Sequence, residues 1–173
     1  MKFGELKQLA LNRIDETDYD EQIDNIVSGA LNSAYLQLCK IDKRIDRAYI
    51  PIIRGICTMP DNYIGLVSCS PALQYGDRVL GKNIITSNEG VEEVLYYYTR
   101  EPITNDDEEP DLAEVLQYAM VSYAVYKYYI HRKKNSLAEI ALNDYQQEAY
   151  RFSYENEDYD NAESLSMLEN LYL

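Results

Sequence analysis

Apolar residues recur at intervals of three and four along several segments of the chain, which is the spacing of one face of an α-helix. Before the last of these segments, Ser136 and Glu139 form a capping box, a common start of a helix. The most regular pattern comprises Ile23, Ile26, Val27, Ala30, Leu31, Ala34, Tyr35, Leu38 and Ile41. The spacing predicts helices over residues 3–14, 20–44, 110–133 and 136–154.

Residues 46–99 show a different pattern, in which short apolar runs alternate with Pro and Gly that interrupt any helix. The runs AYIPII, GLVSC, RVL, NIITS and VEEVLYYYT are rich in β-branched and aromatic residues and predict strands. The predicted fold class is therefore mainly α (α+β), a bundle of about four helices with one small inserted antiparallel sheet. We expect a single domain over residues 1–154, because neither block is thick enough to form a core alone. An acidic C-terminal arm, 155–173, follows it.

Four consecutive carboxylates, Asp106 to Glu109, stand just before Pro110. Proline suits the first turn of a helix, and carboxylates are favoured at the positive end of the helix dipole. His131 and the basic residues after it suit the other end of the same predicted helix. We therefore expect residues 106–109 to be exposed at a helix N-terminus and to bind no metal.

Two segments carry a resemblance to a known family. Residues 91–129 join a Tyr-rich strand, the acidic turn and a helix with the pattern L-x-x-V-L-x-Y-A-x-x-x-Y-A-x-Y-x-Y-Y. Residues 59–66, MPDNYIGL, are similar to a Leu-Pro-x-Asp-Phe-x-x-Leu element, with Met for Leu and Tyr for Phe. In the order of its elements, the chain from about residue 20 to 150 resembles the head–tail connector adaptors of tailed bacteriophages.

This resemblance implies a virion structural protein that is assembled in the host cytoplasm and located in the neck. Such adaptors form a ring, commonly of about twelve copies, beneath the portal protein. The ring extends the DNA channel and receives a further neck or tail protein. Genomic DNA passes through without sequence-specific binding, and the family brings no catalytic residue and no cofactor.

The negative charge is concentrated in two stretches. The net charge is −14, from 30 acidic and 16 basic residues, and residues 106–114 and 152–173 hold six carboxylates each and no Lys or Arg. Removing these twelve leaves 18 acidic against 16 basic residues, a net of −2. No basic stripe is present, which argues against groove binding of nucleic acid. No uncharged apolar run approaches the roughly 20 residues of a membrane span, so no membrane contact is expected.

The sequence offers little catalytic chemistry. Cys39, Cys57 and Cys69 form no C-x-x-C pair and are expected to be reduced, buried thiols. The only histidine, His131, has no accompanying nucleophile motif, and no phosphate-binding glycine loop is present. We therefore expect a protein that is not an enzyme and that has no cofactor and no metal site.

An interaction role agrees with the aromatic composition of eighteen Tyr, two Phe and no Trp. Tyr suits surfaces that are exposed in one chain and covered in an assembly, although a compositional bias of the source genome would give the same excess. Tyr96, Tyr97 and Tyr98 alternate faces of a predicted strand, so we expect at least one to contact a neighbouring chain. The alternatives to a connector adaptor are an acidic DNA-mimic inhibitor of a DNA-acting enzyme and an acidic cellular interaction module.

The C-terminal arm is the other predicted partner-binding region. Residues 155–162 are too polar to form a core and predict a tether. The apolar positions that follow are Leu165, Met167, Leu168, Leu171 and Tyr172. Because an isolated segment of this length is too short for a stable helix, we expect residues 163–173 to be ordered on another chain, either the portal or a second copy. A frayed tail or a segment folded back on its own bundle is the alternative.

Overall fold

The computed structural model describes residues 1–14 and 21–155. This part of the chain contains, in order, α1 (Phe3–Ile14), α2 (Glu21–Leu38), β1 (Ile45–Pro51), β2 (Ile56–Thr58), β3 (Tyr63–Ser70), β4 (Arg78–Leu80), β5 (Asn83–Ile85), β6 (Val91–Tyr98), α3 (Glu114–His131) and α4 (Asn135–Glu155). These elements fall into two compact units. The helical unit comprises Met1–Asp42 and the chain from Glu101 onward, and the β unit comprises Lys43–Arg100.

The predicted fold class is wrong in being mainly α with a single sheet. Of the described residues, 46% are helical and 22% lie in strands, and the strands form two three-stranded antiparallel sheets, so the fold is α+β. The second sheet consists of β2, β5 and β4, which have three residues each. Two of these strands lie in the predicted runs RVL and NIITS, whereas no strand was predicted over Ile56–Thr58, a three-residue segment between the breaks at Gly55 and Pro60.

α3 is the central helix of the helical unit and contacts α1, α2 and α4. Its buried residues lie around most of its circumference, because three helices cover it. Asn32 on α2 also fixes the segment that leads into α3. Its side-chain amide accepts a hydrogen bond of 2.8 Å from the backbone N–H of Ile103 and donates one of 2.9 Å to the carbonyl of the same residue. One side chain thus satisfies both backbone groups of Ile103.

The start of α3 differs from the prediction by four residues. The helix begins at Glu114 rather than at residue 110, and the N-cap residue, Ala113, has no side chain that could cap it. Asp42, which is buried, supplies the missing acceptor, since its Oδ2 accepts a hydrogen bond of 2.9 Å from the Ala113 N–H. The helix therefore begins where a distant carboxylate satisfies its first free N–H group.

The β unit is built from the two sheets, whose strand orders are β1-β6-β3 and β2-β5-β4. They share a small core of Cys57, Met59, Ile84, Val94 and Tyr96. β1 leads into β2 through a tight turn at Arg54 and Gly55, both of which have positive φ, as a type I′ turn requires. A side chain at residue 55 would also place its Cβ 3.2 Å from the carbonyl oxygen of Thr86.

Candidate assembly surfaces

The acidic turn at residues 106–109 lies at a helix N-terminus, but the helix is α1 rather than α3. The N–H groups of Phe3 and Gly4 donate hydrogen bonds of 2.8 and 2.9 Å to the carbonyl oxygens of Glu108 and Asp106. These bonds satisfy the first free donors of α1. The approach is close, because a Cβ on Gly4 would lie 3.1 Å from the Cβ of Asp106, so a larger residue at position 4 would push the turn away by a few tenths of an ångström.

Two lysines of the N-terminal region pair with the same turn. Lys2 Nζ lies 2.9 Å from Asp107 and Lys7 Nζ lies 3.0 Å from Asp106. Partial burial lowers the pKa of Lys7, but Asp106 and Asp24 outweigh it and hold the pKa above its usual value. Part of the concentrated negative charge is therefore neutralised within the fold.

The three consecutive tyrosines of β6 have different environments. Tyr96 is buried in the β-unit core, and its hydroxyl lies 3.2 Å from Asp46 Oδ2 and 3.5 Å from Asn62 Oδ1. Tyr97 and Tyr98 are half-buried, and the cationic groups of Lys43 and Arg100 lie 5.7 Å from their ring centres. Tyr96 thus contributes to the core of the β unit, whereas Tyr97 and Tyr98 remain partly accessible to solvent.

Tyr97 belongs to a surface that we call the outer sheet face, formed by one side of β1 and β6. Directly opposed residues of antiparallel strands project from the same side. The opposed pairs are Ile45 with Tyr97, Arg47 with Leu95, Tyr49 with Glu93, and Pro51 with Val91.

Exposed apolar groups surround one ion pair on this face. Ile45, Tyr49 and Val91 are 52%, 64% and 55% exposed. Arg47 and Glu93 form a salt bridge of 3.1 Å at the centre. Ile45, Tyr49 and Val91 were not among the predicted site residues. Strand alternation places Ile45 and Tyr49 on one side of β1, but Val91 joins them only through the pairing of β1 with β6.

A groove of about 320 Å³ lies along α3 and α4 of the helical unit. This α3–α4 groove is lined by Arg13, Ser122, Val125, Tyr129, Leu137, Ile140, Ala141, Asp144 and Glu148. A short polar chain crosses one end of it: Arg13 donates to the Ser122 hydroxyl at 3.0 Å, and that hydroxyl donates to Glu148 Oε2 at 2.8 Å. The groove therefore has an apolar end and a polar end, where Asp144, Glu148 and Arg13 leave one net negative charge.

Burial raises the pKa of Glu148, and the neighbouring Asp144 raises it further, while Ser122 and Arg13 act in the opposite direction. Because the folded pKa lies above the ordinary value of 4.5, folding favours the protonated acid. The stability from this preference is present below pH 4.5 and is lost as the pH rises through the folded pKa. Ionised Glu148 therefore lowers the stability of the fold at neutral pH.

We predict that Glu148→Gln has a higher Tm than the wild type at pH 7, because the amide keeps an acceptor for Ser122 and carries no charge. The advantage should disappear as the pH is lowered below 4.5, where the wild-type carboxyl is protonated too. Thermal unfolding across this pH range measures the difference. Glu139→Gln, at an exposed position of the same helix, is the control. A difference between Glu148→Gln and wild type that does not vary with pH would refute the prediction.

The cysteines of the β unit lie in a setting that suppresses their reactivity. Burial raises the pKa of Cys57, and Glu92 and Cys69 raise it further. Burial also raises the pKa of Cys69, which is hydrogen-bonded to Glu92 and to the backbone at Leu73. Glu92 itself is fully buried and lies 3.5 Å from Asn88 Nδ2. Both thiols are therefore protonated at neutral pH and are poor nucleophiles.

Most of the remaining predicted features can be located, or excluded, directly in the described residues. His131 lies in the last turn of α3. Within residues 1–14 and 21–155, no three His, Cys, Asp or Glu side chains are arranged to hold a metal ion. Leu165, Met167, Leu168, Leu171 and Tyr172, with the C-terminal arm that carries them, lie outside the described residues. Among the helices that the structure does describe, none is both long and apolar enough to cross a bilayer.

No family model matches the chain, and no curated protein matches it.

Proposed function

We propose that the protein is a structural component of a tailed-phage virion, a head–tail connector adaptor. In this role several copies, about twelve by family resemblance, form a ring beneath the portal protein. The ring extends the DNA channel in the virion neck and binds the next neck or tail protein. It is assembled in the host cytoplasm, its role is structural rather than enzymatic, and it requires no cofactor.

The observation that carries the proposal is the distribution of exposed apolar groups. Among the described residues, eleven of the eighteen exposed large apolar side chains lie in the β unit, which has only 58 residues from Lys43 to Arg100. The outer sheet face brings several of them together around the Arg47–Glu93 pair. An exposed apolar surface with aromatic side chains is typical of protein–protein interfaces, and the two charges on this face neutralise each other.

The kind of assembly is inferred from residues 59–66 and 91–129, which resemble segments of the head–tail connector adaptors. In the structure these two segments include β3, β6 and α3, so they extend over both units. Acidic groups that line a channel would repel the phosphate backbone, which would let DNA pass without adhering.

The positions of the carboxylates favour the adaptor over a DNA mimic. A mimic needs carboxylates that are available to a DNA-binding protein, in a phosphate-like series. Asp106 and Asp107 instead pair with Lys7 and Lys2 of the same chain. The backbone of the acidic turn also accepts hydrogen bonds from the start of α1, so part of the acidity has a role within the fold.

The test is coexpression with the portal protein that is encoded in the same genome, followed by native mass spectrometry and negative-stain imaging. We expect rings of the chain on portals. Tyr49→Glu, on the outer sheet face, should reduce the occupancy of such rings about tenfold, because it places a charge in an apolar contact. Tyr75→Glu, at a fully exposed position outside the strands of the same unit, is the matched control and should assemble normally.

Deleting residues 160–173 tests the C-terminal arm in the same assay. We expect helical content and solubility to be retained and attachment to the ring or portal to be weakened, since the apolar positions of the arm would be lost. Unchanged assembly after the deletion would refute partner binding by the arm. If the chain stayed monomeric, did not bind the portal and bound a DNA-acting enzyme tightly, the adaptor function would be refuted and the DNA-mimic function would be favoured.

A further inference from the structure

The α3–α4 groove has a directional chemical pattern. Leu137, Ile140, Ala141, Asp144 and Glu148 recur at intervals of three and four on α4, so they share one face of that helix. The apolar members stand nearer its start, and Leu137 and Ile140 are 43% and 60% exposed. The acidic members follow one and two turns later. Arg13 also lines the polar end of the groove, so the two carboxylates and one guanidinium there leave one net negative charge. An occupant that fits this groove therefore presents an apolar group beside a positive charge.

The chain itself carries such a group at the connection between α3 and α4. We call residues 130–134 the basic corner: Ile130, His131, Arg132, Lys133 and Lys134. Ile130 is 47% exposed, and all four residues after it are exposed.

The basic corner is held in a defined shape. Arg132 and Lys134 lie over the rings of Tyr128 and Tyr129, at 5.5 and 5.9 Å from the ring centres. Lys133 stands between them with φ of 56°, and the N–H of Lys134 donates to the carbonyl of Tyr129 at 2.9 Å. This hydrogen bond and the left-handed residue form a regular helix C-terminus. The corner is thus a preformed cationic surface next to an apolar side chain.

The corner cannot occupy the groove of its own chain. Asp144 lies ten residues into α4, which starts at Asn135, and a helix rises about 1.5 Å per residue. The polar end of the groove is therefore about 14 Å from the corner along a continuous helix. Only another molecule can bring a corner to that end.

We propose that the α3–α4 groove binds the basic corner of a second copy of this chain. Ile130 of one copy packs beside Leu137 and Ile140 of the other, and Lys133 pairs with Asp144 and Glu148. Glu148 is already half-buried and hydrogen-bonded to Ser122, so part of its dehydration has occurred before the partner arrives. Local complementarity of this kind is required because copies with a net charge of −14 repel each other as a whole. The contact uses a different surface from the outer sheet face and does not depend on the adaptor function.

Zero-length crosslinking with a carbodiimide tests the contact, because it joins an amine to a carboxylate only where the two touch. An equal mixture of unlabelled and ¹⁵N-labelled full-length protein is crosslinked, digested and analysed by mass spectrometry. We expect peptides that join Lys133 to Asp144 or Glu148 and that contain one light and one heavy partner. A chain that stays monomeric, or that self-associates without such mixed peptides, would overturn the proposal.

Charge reversal provides the second measurement, by sedimentation velocity. Asp144→Lys and Lys133→Asp should each weaken this association about tenfold or more, because each places like charges opposite one another. Lys133→Asp does not strain the backbone, since Asp tolerates positive φ. The double variant Lys133→Asp/Asp144→Lys should recover most of the affinity, because the pair is restored with its signs exchanged.

The controls make the same charge changes outside the contact. Glu139→Lys lies at an exposed position of α4 that does not line the groove, and Lys40→Asp is exposed beyond the end of α2. Both should associate like the wild type. If the reversals at 133 and 144 had no more effect than these controls, or if the double variant showed no recovery, the proposal would be wrong. Loss of the outer-face contact by Tyr49→Glu leaves the Lys133 crosslink in place, which separates this proposal from the adaptor assembly.

Discussion

Leu31→Ala is expected to lower the free energy of unfolding of the helical unit by about 2–5 kcal/mol. Leu31 is fully buried on α2 and belongs to the cluster that joins α1, α2, α3 and α4. Removing three carbon groups there loses their burial and leaves a cavity that the surrounding helices cannot close completely. All described helices lie in the helical unit, so far-UV circular dichroism during urea denaturation reports this loss.

The matched control is Leu36→Ala on the same helix. Leu36 is 37% exposed and outside that cluster, so its truncation should cost less than half as much. Helix propensity changes equally in the two variants, because the same substitution is made in the interior of the same helix. Equal losses at the two positions would contradict the packing that the structure assigns to α2.

Asp42→Ala should lower the free energy of unfolding by about 1.5–3 kcal/mol, the range for hydrogen bonds to charged groups. Asp42 is 2% exposed and provides the carboxylate that caps α3 at Ala113. Its loss would leave the Ala113 N–H without its acceptor at the buried start of the central helix. Urea denaturation followed at 222 nm measures the change.

Asp42→Asn separates the hydrogen bond from the charge. Its side-chain carbonyl can still accept from Ala113, so we expect it to retain most of the stability that Asp42→Ala loses. Asp111→Ala, at an exposed position just before α3, removes a carboxylate from the same region and should cost less than about 0.5 kcal/mol. An Asp42→Ala variant as stable as the Asp111→Ala control would mean that α3 is not capped by Asp42.

The helices were predictable because their signal is local. The apolar repeat places α1 at the predicted residues 3–14 and identifies the face of α2 that is buried, including Val27, Leu31 and Leu38. The predicted end of α2 near residue 44 was too late, since the helix ends at Leu38. Apolar Ile41 continues the repeat and is buried, but it lies in the turn after the helix. The apolar repeat therefore marks which residues are buried, and it continues past the last residue of the helix.

The sheets and surfaces were less predictable because their determinants are distant in sequence. β6 was expected from its β-branched and aromatic residues and runs from Val91 to Tyr98. Which of its sides is buried depends on its neighbours, and the outcome is that Tyr96 enters the core while Tyr97 faces outward. Residues 106–109 looked like the start of the next helix along the chain, yet they contact α1, which is about a hundred residues earlier.

The sequence by itself determined where helices form and where strands replace them, because periodicity and proline or glycine breaks act between residues that are close along the chain. It also determined that the negative charge is concentrated in two stretches. The tertiary structure decided that Asp42 caps α3, that the acidic turn caps α1 and that α3 and α4 enclose a groove. Each of these features joins groups from different elements, and only the packing of the chain brings such groups within hydrogen-bonding or van der Waals distance.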